Sequence, residues 1–145
     1  MLAMQDPFDL ERFVQAQEPV MAEVRRELGA GRKRTHWMWF IFPQLRALGR
    51  SPTAQHYGIA SLAEAQAYMA HPVLGPRLVD CADLVRAVRG RSAHEIFGSP
   101  DDLKLRSSMT LFAAARPEAT VFTDILRLYF EGNPDPLTAE LLPKE

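Results

Sequence analysis

Signals that start and stop helices recur along this chain and constrain its fold more than any other feature. Eleven prolines and eight glycines interrupt segments in which apolar residues recur at helical spacing. Residues Asp6–Asp9 are typical of a helix start, with Asp6 as the cap and Pro7 in the first helical position. Pro19 predicts a break between this helix and a second one that ends near Gly29. The chain is therefore expected to form short helices.

Further helix starts are predicted at capping residues or at prolines, namely at Ser61, Ser92, Ser99 or Pro100, and Pro117. The first two are capping boxes, in which a serine is followed three residues later by a glutamate. An apolar stripe predicts another helix between Val73 and Val88. No run of alternating β-branched residues indicates a strand. We expect an all-α fold, a single compact multi-helix domain with short loops over residues 1–145.

Composition and charge favour an ordinary cytoplasmic protein. The net charge of −1 gives no reason to expect polyanion or membrane-surface binding. The single cysteine, Cys81, excludes an intrachain disulfide and a cysteine-based metal site. The first six residues do not resemble a signal peptide, and no apolar stretch approaches the roughly 20 residues that span a bilayer. The four histidines lack metal-ligand spacing, so no metal is predicted, and any cofactor is unknown.

The segment His36–Arg46 differs from the rest of the chain, and we expect any functional surface to centre on it. It contains both tryptophans and two phenylalanines, and the basic triplet Arg32–Arg34 precedes it. Between Arg25 and Arg50 lie seven basic residues and one acidic residue, Glu27. The charge is therefore segregated along the chain although its total is balanced.

Two interpretations of this segment remain open. In one, residues Trp37 to Phe42 form a buried helix that is apolar on all sides, and the basic triplet is a solvated loop. In the other, Thr35 caps a short helix whose aromatic rings stack on a planar ligand, and the triplet binds its phosphates. The candidate ligand-binding residues are then His36, Trp37, Trp39, Gln44 and Arg46, and the phosphate candidates are Arg32, Lys33 and Arg34. His36 is the candidate catalytic acid or base.

A second group of polar residues offers an opposite wall for such a pocket. Lys104, Ser107 and Ser108 lie within one turn of each other on a predicted helix, and Tyr57 is a further candidate for the same cleft. The alternative is structural, because small serines permit close helix packing and a buried tyrosine needs only a partner for its hydroxyl. The order of lysine and serine is opposite to that of the known Ser-x-x-Lys arrangement.

Three strings carry a resemblance to a known family over residues 6–142. They are DPFDLERFVQAQ, HWMWFIFPQLRALG and DDLKLRSSMTLF, and they resemble the domain-of-unknown-function family 1810. The resemblance implies a small all-helical cytoplasmic protein, largely bacterial, with no established activity and no catalytic residues to carry over. Some members are labelled calpastatin, but a calpastatin is a disordered repetitive inhibitor, and this chain is a compact unrepeated domain.

The first functional hypothesis is the binding or processing of a nucleotide-like or phosphorylated small molecule around His36–Arg46. A loose analogy supports it, since small helical domains that act on ADP-ribose derivatives have comparable size and composition. The alternative is a protein–protein interaction module whose aromatic segment is partly exposed and docks a partner. Nucleic-acid binding is less favoured because the chain is slightly acidic. The sequence leaves open whether the protein is an enzyme.

Overall fold

The computed structural model describes residues 6–143, and within that range the chain forms ten α-helices and no β-strand. The helices are α1 (Glu11–Gln17), α2 (Met21–Gly29), α3 (Met38–Ile41), α4 (Pro52–His56), α5 (Leu62–Ala70), α6 (Leu74–Ala87), α7 (Ala93–Phe97), α8 (Asp101–Ala115), α9 (Val121–Phe130) and α10 (Pro136–Leu141). A 3₁₀ turn covers Arg46–Leu48. The expected all-α fold of one compact domain is confirmed. The expectations for residues 1–5 and 144–145 lie outside the described range.

Helix α8 is the centre of the fold and packs against α5, α7, α9 and α10. Seven of the eight residues from Leu105 to Phe112 are buried, so the helix is enclosed on most of its sides. Two buried hydroxyls, those of Ser107 and Thr110, donate to backbone carbonyls one turn earlier in the same helix. These hydrogen bonds allow both polar side chains to be buried where α8 is enclosed.

Helix α6 lies beside α2, α5 and α9 and buries the apolar stripe that the sequence predicts. Its close approach to α5 depends on Gly75, because a Cβ there would lie 2.2 Å from the Met69 carbonyl oxygen. Cys81 is part of this buried face, and burial raises the pKa of its thiol to about 12. The thiol is therefore protonated and inert in the core.

The predicted break at Pro19 is confirmed, since it falls in the turn between α1 and α2. The predicted first helix position, Pro7, is wrong, because α1 begins at Glu11. Asp9 adopts a left-handed conformation with φ 53°, which prevents a continuous helix from Pro7. Asp6 still accepts hydrogen bonds from the first backbone N–H groups of the later start.

Only one of the two capping boxes forms in full. Ser92 accepts from the Glu95 backbone N–H, and Glu95 accepts from the Ser92 N–H at 2.8 Å. Ser61 likewise accepts from the Glu64 N–H, but the Glu64 carboxylate binds elsewhere, to the Ala60 N–H and to Arg12. Glu64, the glutamate of the Ser61 box, therefore takes part in a tertiary contact that the local sequence pattern does not reveal.

Candidate functional site

Glu27 of α2 anchors the loop that leads into the aromatic segment. Its side chain is buried and accepts from the backbone N–H groups of Arg34 at 2.8 Å and Thr35 at 3.1 Å. It also accepts from the Thr35 hydroxyl at 2.7 Å and from Trp37 Nε1–H at 2.9 Å. Burial opposes ionisation, but these hydrogen bonds outweigh it and lower the pKa of Glu27 to about 2. The proposed capping of α3 by Thr35 is wrong, because its hydroxyl is engaged by this carboxylate.

The basic triplet divides into one buried and two exposed side chains. Lys33 Nζ lies 2.9 Å from the Asp101 carboxylate and 5.1 Å from the centre of the Trp37 ring, and the lysine side chain is 7% exposed. Arg32 and Arg34 are exposed, and neither forms an ion pair with another residue of the 6–143 range. Lys33 is therefore committed to a buried ion pair, and only the two arginines lie in the solvated loop.

The aromatic segment is partly core and partly surface. Trp37 and Phe42 are both 1% exposed and pack edge-on against Phe97. Trp39 is half-buried, and Lys104 Nζ lies 5.7 Å from the centre of its ring. The core interpretation therefore describes Trp37 and Phe42, whereas Trp39 reaches the surface beside Lys104.

Beyond α3 the chain forms one side of a groove, which we call the α8–α10 groove. The Gln44 carbonyl accepts from the Ile59 N–H at 2.9 Å, and the Arg46 N–H donates to the Ile59 carbonyl at 2.8 Å. This short bridge fixes the backbone on both sides of Leu45, and Gln44 lines the groove together with Lys104 and Ser107 of α8. The groove has a volume of about 740 Å³ and is lined by Gln44, Ala47, Leu48, Gly49, Arg50, Pro100, Leu103, Lys104, Ser107, Asp135, Leu137, Glu140 and Leu141.

A small recess of about 10 Å³ adjoins the groove. It is lined by Met38, Trp39, Phe42, Gln44, Ala54, Tyr57 and Lys104. Gln44 and Lys104 line both cavities, so the recess and the groove are neighbours, and we treat them together as the candidate site. An amide, an ammonium group and three aromatic side chains therefore meet at this point.

The recess wall that carries Tyr57 is fixed by a buried arginine, Arg12. Its guanidinium donates to the carbonyls of His56 at 2.9 Å and Gly58 at 3.0 Å, and to the Glu64 carboxylate at 2.8 Å. The side chains of this ion pair are 7% and 2% exposed. Because Arg12 contacts the residues on both sides of Tyr57, it determines where that side chain lies.

The opposite wall, α10, is attached to α8 through polar contacts. Arg106 donates to the carbonyls of Asn133 at 3.0 Å and Pro134 at 2.9 Å. The Asp135 N–H donates to the Thr110 hydroxyl at 2.9 Å, and the Asp135 carboxylate caps α10 by accepting from the Thr138 N–H at 2.9 Å. These contacts hold α10 against α8, and Asp135 and Glu140 line the groove together with Lys104.

The candidate site combines charges of both signs with exposed apolar groups. Lys104 and Arg50 supply positive charge, and Asp135 and Glu140 supply carboxylates. Lys104 has only a loose ion pair, at 3.9 Å from Asp101, and its side chain is 27% exposed. In the part of the chain that the structure describes, no group of three histidine, cysteine or acidic side chains is placed to hold a metal ion. The site is therefore suited to hydrogen bonding and charge pairing with a polar ligand.

The structure brings some of the sequence candidates together and separates others. Those that line the candidate site are Trp39, Gln44, Tyr57, Lys104 and Ser107. Those that do not line it are Arg32, Lys33, Arg34, His36, Trp37, Arg46 and Ser108. His36 and Arg46 are exposed, and Ser108 is fully buried in α8 with no hydrogen-bond partner for its hydroxyl among the described residues.

Several lining residues were missed by the sequence reasoning. They are Arg50, Leu103, Asp135, Leu137, Glu140 and Leu141. Asp135 had a usable signal, because an aspartate before a proline is typical of a helix cap, although nothing placed that helix against α8. The three leucines had no such sequence signal, since an isolated leucine gives no indication that it stays exposed.

The chain belongs to the family of proteins of unknown function DUF1810, whose match covers residues 7–142. This confirms the family resemblance inferred from the three strings. The fold is similar to the crystal structure of the conserved hypothetical protein Rv1873 from Mycobacterium tuberculosis. The two are 60% identical with a TM-score of 0.94, over 97% of this chain and 100% of that chain. No curated protein matches the sequence.

None of the helices described here has both the length and the apolar character needed to cross a membrane.

Proposed function

We propose that this protein is cytoplasmic and that it binds a nucleotide-like or phosphorylated small molecule in the α8–α10 groove and the adjoining recess. The observation that carries the proposal is the shared position of Gln44 and Lys104, which line both cavities. A volume of about 740 Å³ falls in the range of small-molecule sites. The recess has room for about one water molecule, so the ligand occupies the groove and reaches Trp39 and Tyr57 only with a small group.

The charges of the groove suit a ligand that has both an anionic group and hydroxyl groups. Lys104 and Arg50 would bind a phosphate, and the planar fork of the arginine favours two parallel hydrogen bonds. Asp135 and Glu140 would accept hydrogen bonds from sugar hydroxyls, because an ionised carboxylate can only accept and a hydroxyl can donate. The proposal is one of binding, since the candidate catalytic residue His36 does not line the groove.

Thermal-shift and calorimetric titrations with ADP-ribose, AMP and pyrophosphate test this proposal. We expect at least one of them to raise the melting temperature, and Lys104→Gln to weaken its binding by about tenfold. Arg34→Gln is the matched control, because it removes the same charge from an exposed side chain outside the groove. The proposal fails if no compound stabilises the protein at millimolar concentration, or if both variants bind equally well.

A protein partner is the second candidate function, and a specific observation favours it. Leu103, Leu137 and Leu141 all line the groove and are 57%, 59% and 52% exposed. A partner helix that covered them would remove apolar surface from water. Site-specific photo-crosslinking at residue 137 tests this, with a single adduct expected that Leu141→Ser abolishes and Lys104→Gln preserves. If a nucleotide prevented formation of the adduct, the groove would be a small-molecule site, as in the first proposal.

Nucleic-acid binding stays the least favoured hypothesis. The triplet that suggested it contributes only Arg32 and Arg34 as exposed cations, because Lys33 is paired with Asp101. The hypothesis would be excluded if the protein did not bind single-stranded DNA or RNA, or if the binding did not depend on salt concentration.

A further inference from the structure

A second groove, of about 690 Å³, lies between the C-terminal end of α6 and one side of α9 and shares no residue with the candidate site. We call it the arginine groove. It is lined by Asp83, Arg86, Ala87, Val88, Arg89, Gly90, Arg91, Asp124, Arg127, Leu128 and Tyr129. Four of these side chains are arginines and two are aspartates, so the groove is positively charged in a chain whose net charge is −1.

Two of the arginines are held in place by carboxylates. Arg86 donates to Asp124 at 2.8 Å and to Asp83 at 2.8 Å, and Arg127 donates to Asp124 at 3.1 Å. Each guanidinium carries five N–H donors, so these bonds leave further donors on both side chains. The ion pairs therefore orient Arg86 and Arg127 and leave N–H donors on both side chains free to bind a ligand.

The other two arginines carry the excess charge. Arg89 donates to the Arg86 carbonyl at 3.1 Å, where it offsets the negative end of the α6 dipole. Arg91 is exposed and, within residues 6–143, forms no ion pair and donates no side-chain hydrogen bond. Gly90 separates them with φ +74° and open space beside its Cα. The left-handed turn at this glycine places both arginines at one rim of the groove.

The two walls of the groove are tied together by Tyr129 of α9. Its hydroxyl donates to the Val85 carbonyl near the end of α6 at 2.6 Å. Beside it on α9, Leu128 is 58% exposed and lines the groove. An isolated phosphate would satisfy the arginines but would leave this apolar side chain in water.

We propose that the arginine groove binds a short acidic peptide segment of a protein partner, with its carboxylates on Arg89 and Arg91 and an apolar side chain on Leu128. Charge complementarity selects an acidic partner, because four arginines face two aspartates. Leu128 selects a peptide over a free phosphate. A nucleic acid fits less well, since the molecule as a whole is slightly acidic and a polyanion would extend beyond this groove.

Fluorescence anisotropy with a fluorescein-labelled peptide, Gly-Glu-Glu-Leu-Glu-Glu-Gly, tests the proposal. We expect saturable binding that weakens with salt and that is lost when the glutamates are replaced by glutamine. The double variant Arg89→Gln/Arg91→Gln should bind about tenfold more weakly, since each exposed charge pair contributes a few-fold. Arg91→Gln alone guards against a folding defect, because that side chain makes no ion pair or side-chain hydrogen bond within residues 6–143. Arg116→Gln, outside the groove, is the matched charge control.

Leu128→Ser separates a peptide from other anions. It should weaken binding of the peptide and leave competition by pyrophosphate unchanged. The proposal is overturned if the peptide does not bind at millimolar concentration, or if the double variant binds it as the unaltered protein does. It is also overturned if Leu128→Ser has no effect on the peptide, or if a single-stranded oligonucleotide binds more tightly than the peptide.

Discussion

Trp37 and Trp39 lie two positions apart in the same segment, but one is enclosed and the other reaches the candidate site. Trp37 is 1% exposed, and its indole N–H is bound by the carboxylate of Glu27. Trp39 is half-buried at the recess, where the ammonium group of Lys104 lies 5.7 Å from its ring centre. One short aromatic segment therefore both anchors the core and presents a surface.

Two buried carboxylates hold the surroundings of the two tryptophans in place. Glu27 fixes the loop before Trp37, and Glu64, through Arg12, fixes the segment that carries Tyr57. The surroundings of Trp37 and of Trp39 can therefore be perturbed separately. Changes at Glu27 should act on the fold, whereas changes at Trp39 or Lys104 should act on the surface.

The largest effect is expected from Arg12→Met, which removes the clamp behind the recess. It leaves the buried Glu64 carboxylate without its cation, and we expect the free energy of unfolding to fall by about 3–5 kcal/mol in urea denaturation. Arg26→Met is the control, because its ion pair with Glu23 is exposed and should contribute at most about 1 kcal/mol. Equal losses in the two variants would show that the clamp does not matter.

The next effect is expected from Glu27→Ala, which should lower the free energy of unfolding by about 3 kcal/mol. The substitution leaves the buried indole N–H of Trp37 without an acceptor and frees two backbone N–H groups of the loop. Glu23→Ala, on the same helix, is the control and should have a small effect. Nucleotide binding at the candidate site is expected to weaken less than stability, since Trp39 and Lys104 do not contact this carboxylate.

These contacts show which parts of the molecule could be predicted from the sequence. Helix order follows from prolines, caps and apolar spacing, all of which act within one or two turns, and the structure confirms the fold class. The role of Glu27 had only a weak local signal, as the single acidic residue among seven basic ones. The groove itself was not predictable, because α10 meets α8 through contacts such as Arg106 to Pro134, 28 positions apart.

The pH dependence of stability tests the same carboxylate more finely. The pKa of Glu27 is lowered from 4.5 to about 2 by the hydrogen bonds that outweigh its burial, so its ionised form stabilises the fold above about pH 4.5. That contribution is lost as the pH falls toward 2 and amounts to at most about 3 kcal/mol. The stability difference between the unaltered protein and Glu27→Gln should therefore shrink over this range in urea titrations. A constant difference would contradict an ionised Glu27.

The smallest effect separates the tryptophans directly. Trp37→Phe leaves Trp39 as the emitter, and Trp39→Phe leaves Trp37. We expect acrylamide to quench Trp39 emission several-fold more strongly, because Trp37 is enclosed by the core. Trp37→Phe should also cost about 1–2 kcal/mol of stability, since Glu27 loses a buried donor, whereas Trp39→Phe should cost less.

A bound nucleotide should protect Trp39 from acrylamide quenching and leave the quenching of Trp37 unchanged. Equal quenching of both emitters would mean that the segment is not divided as described, and protection of neither would argue against a ligand that reaches the recess.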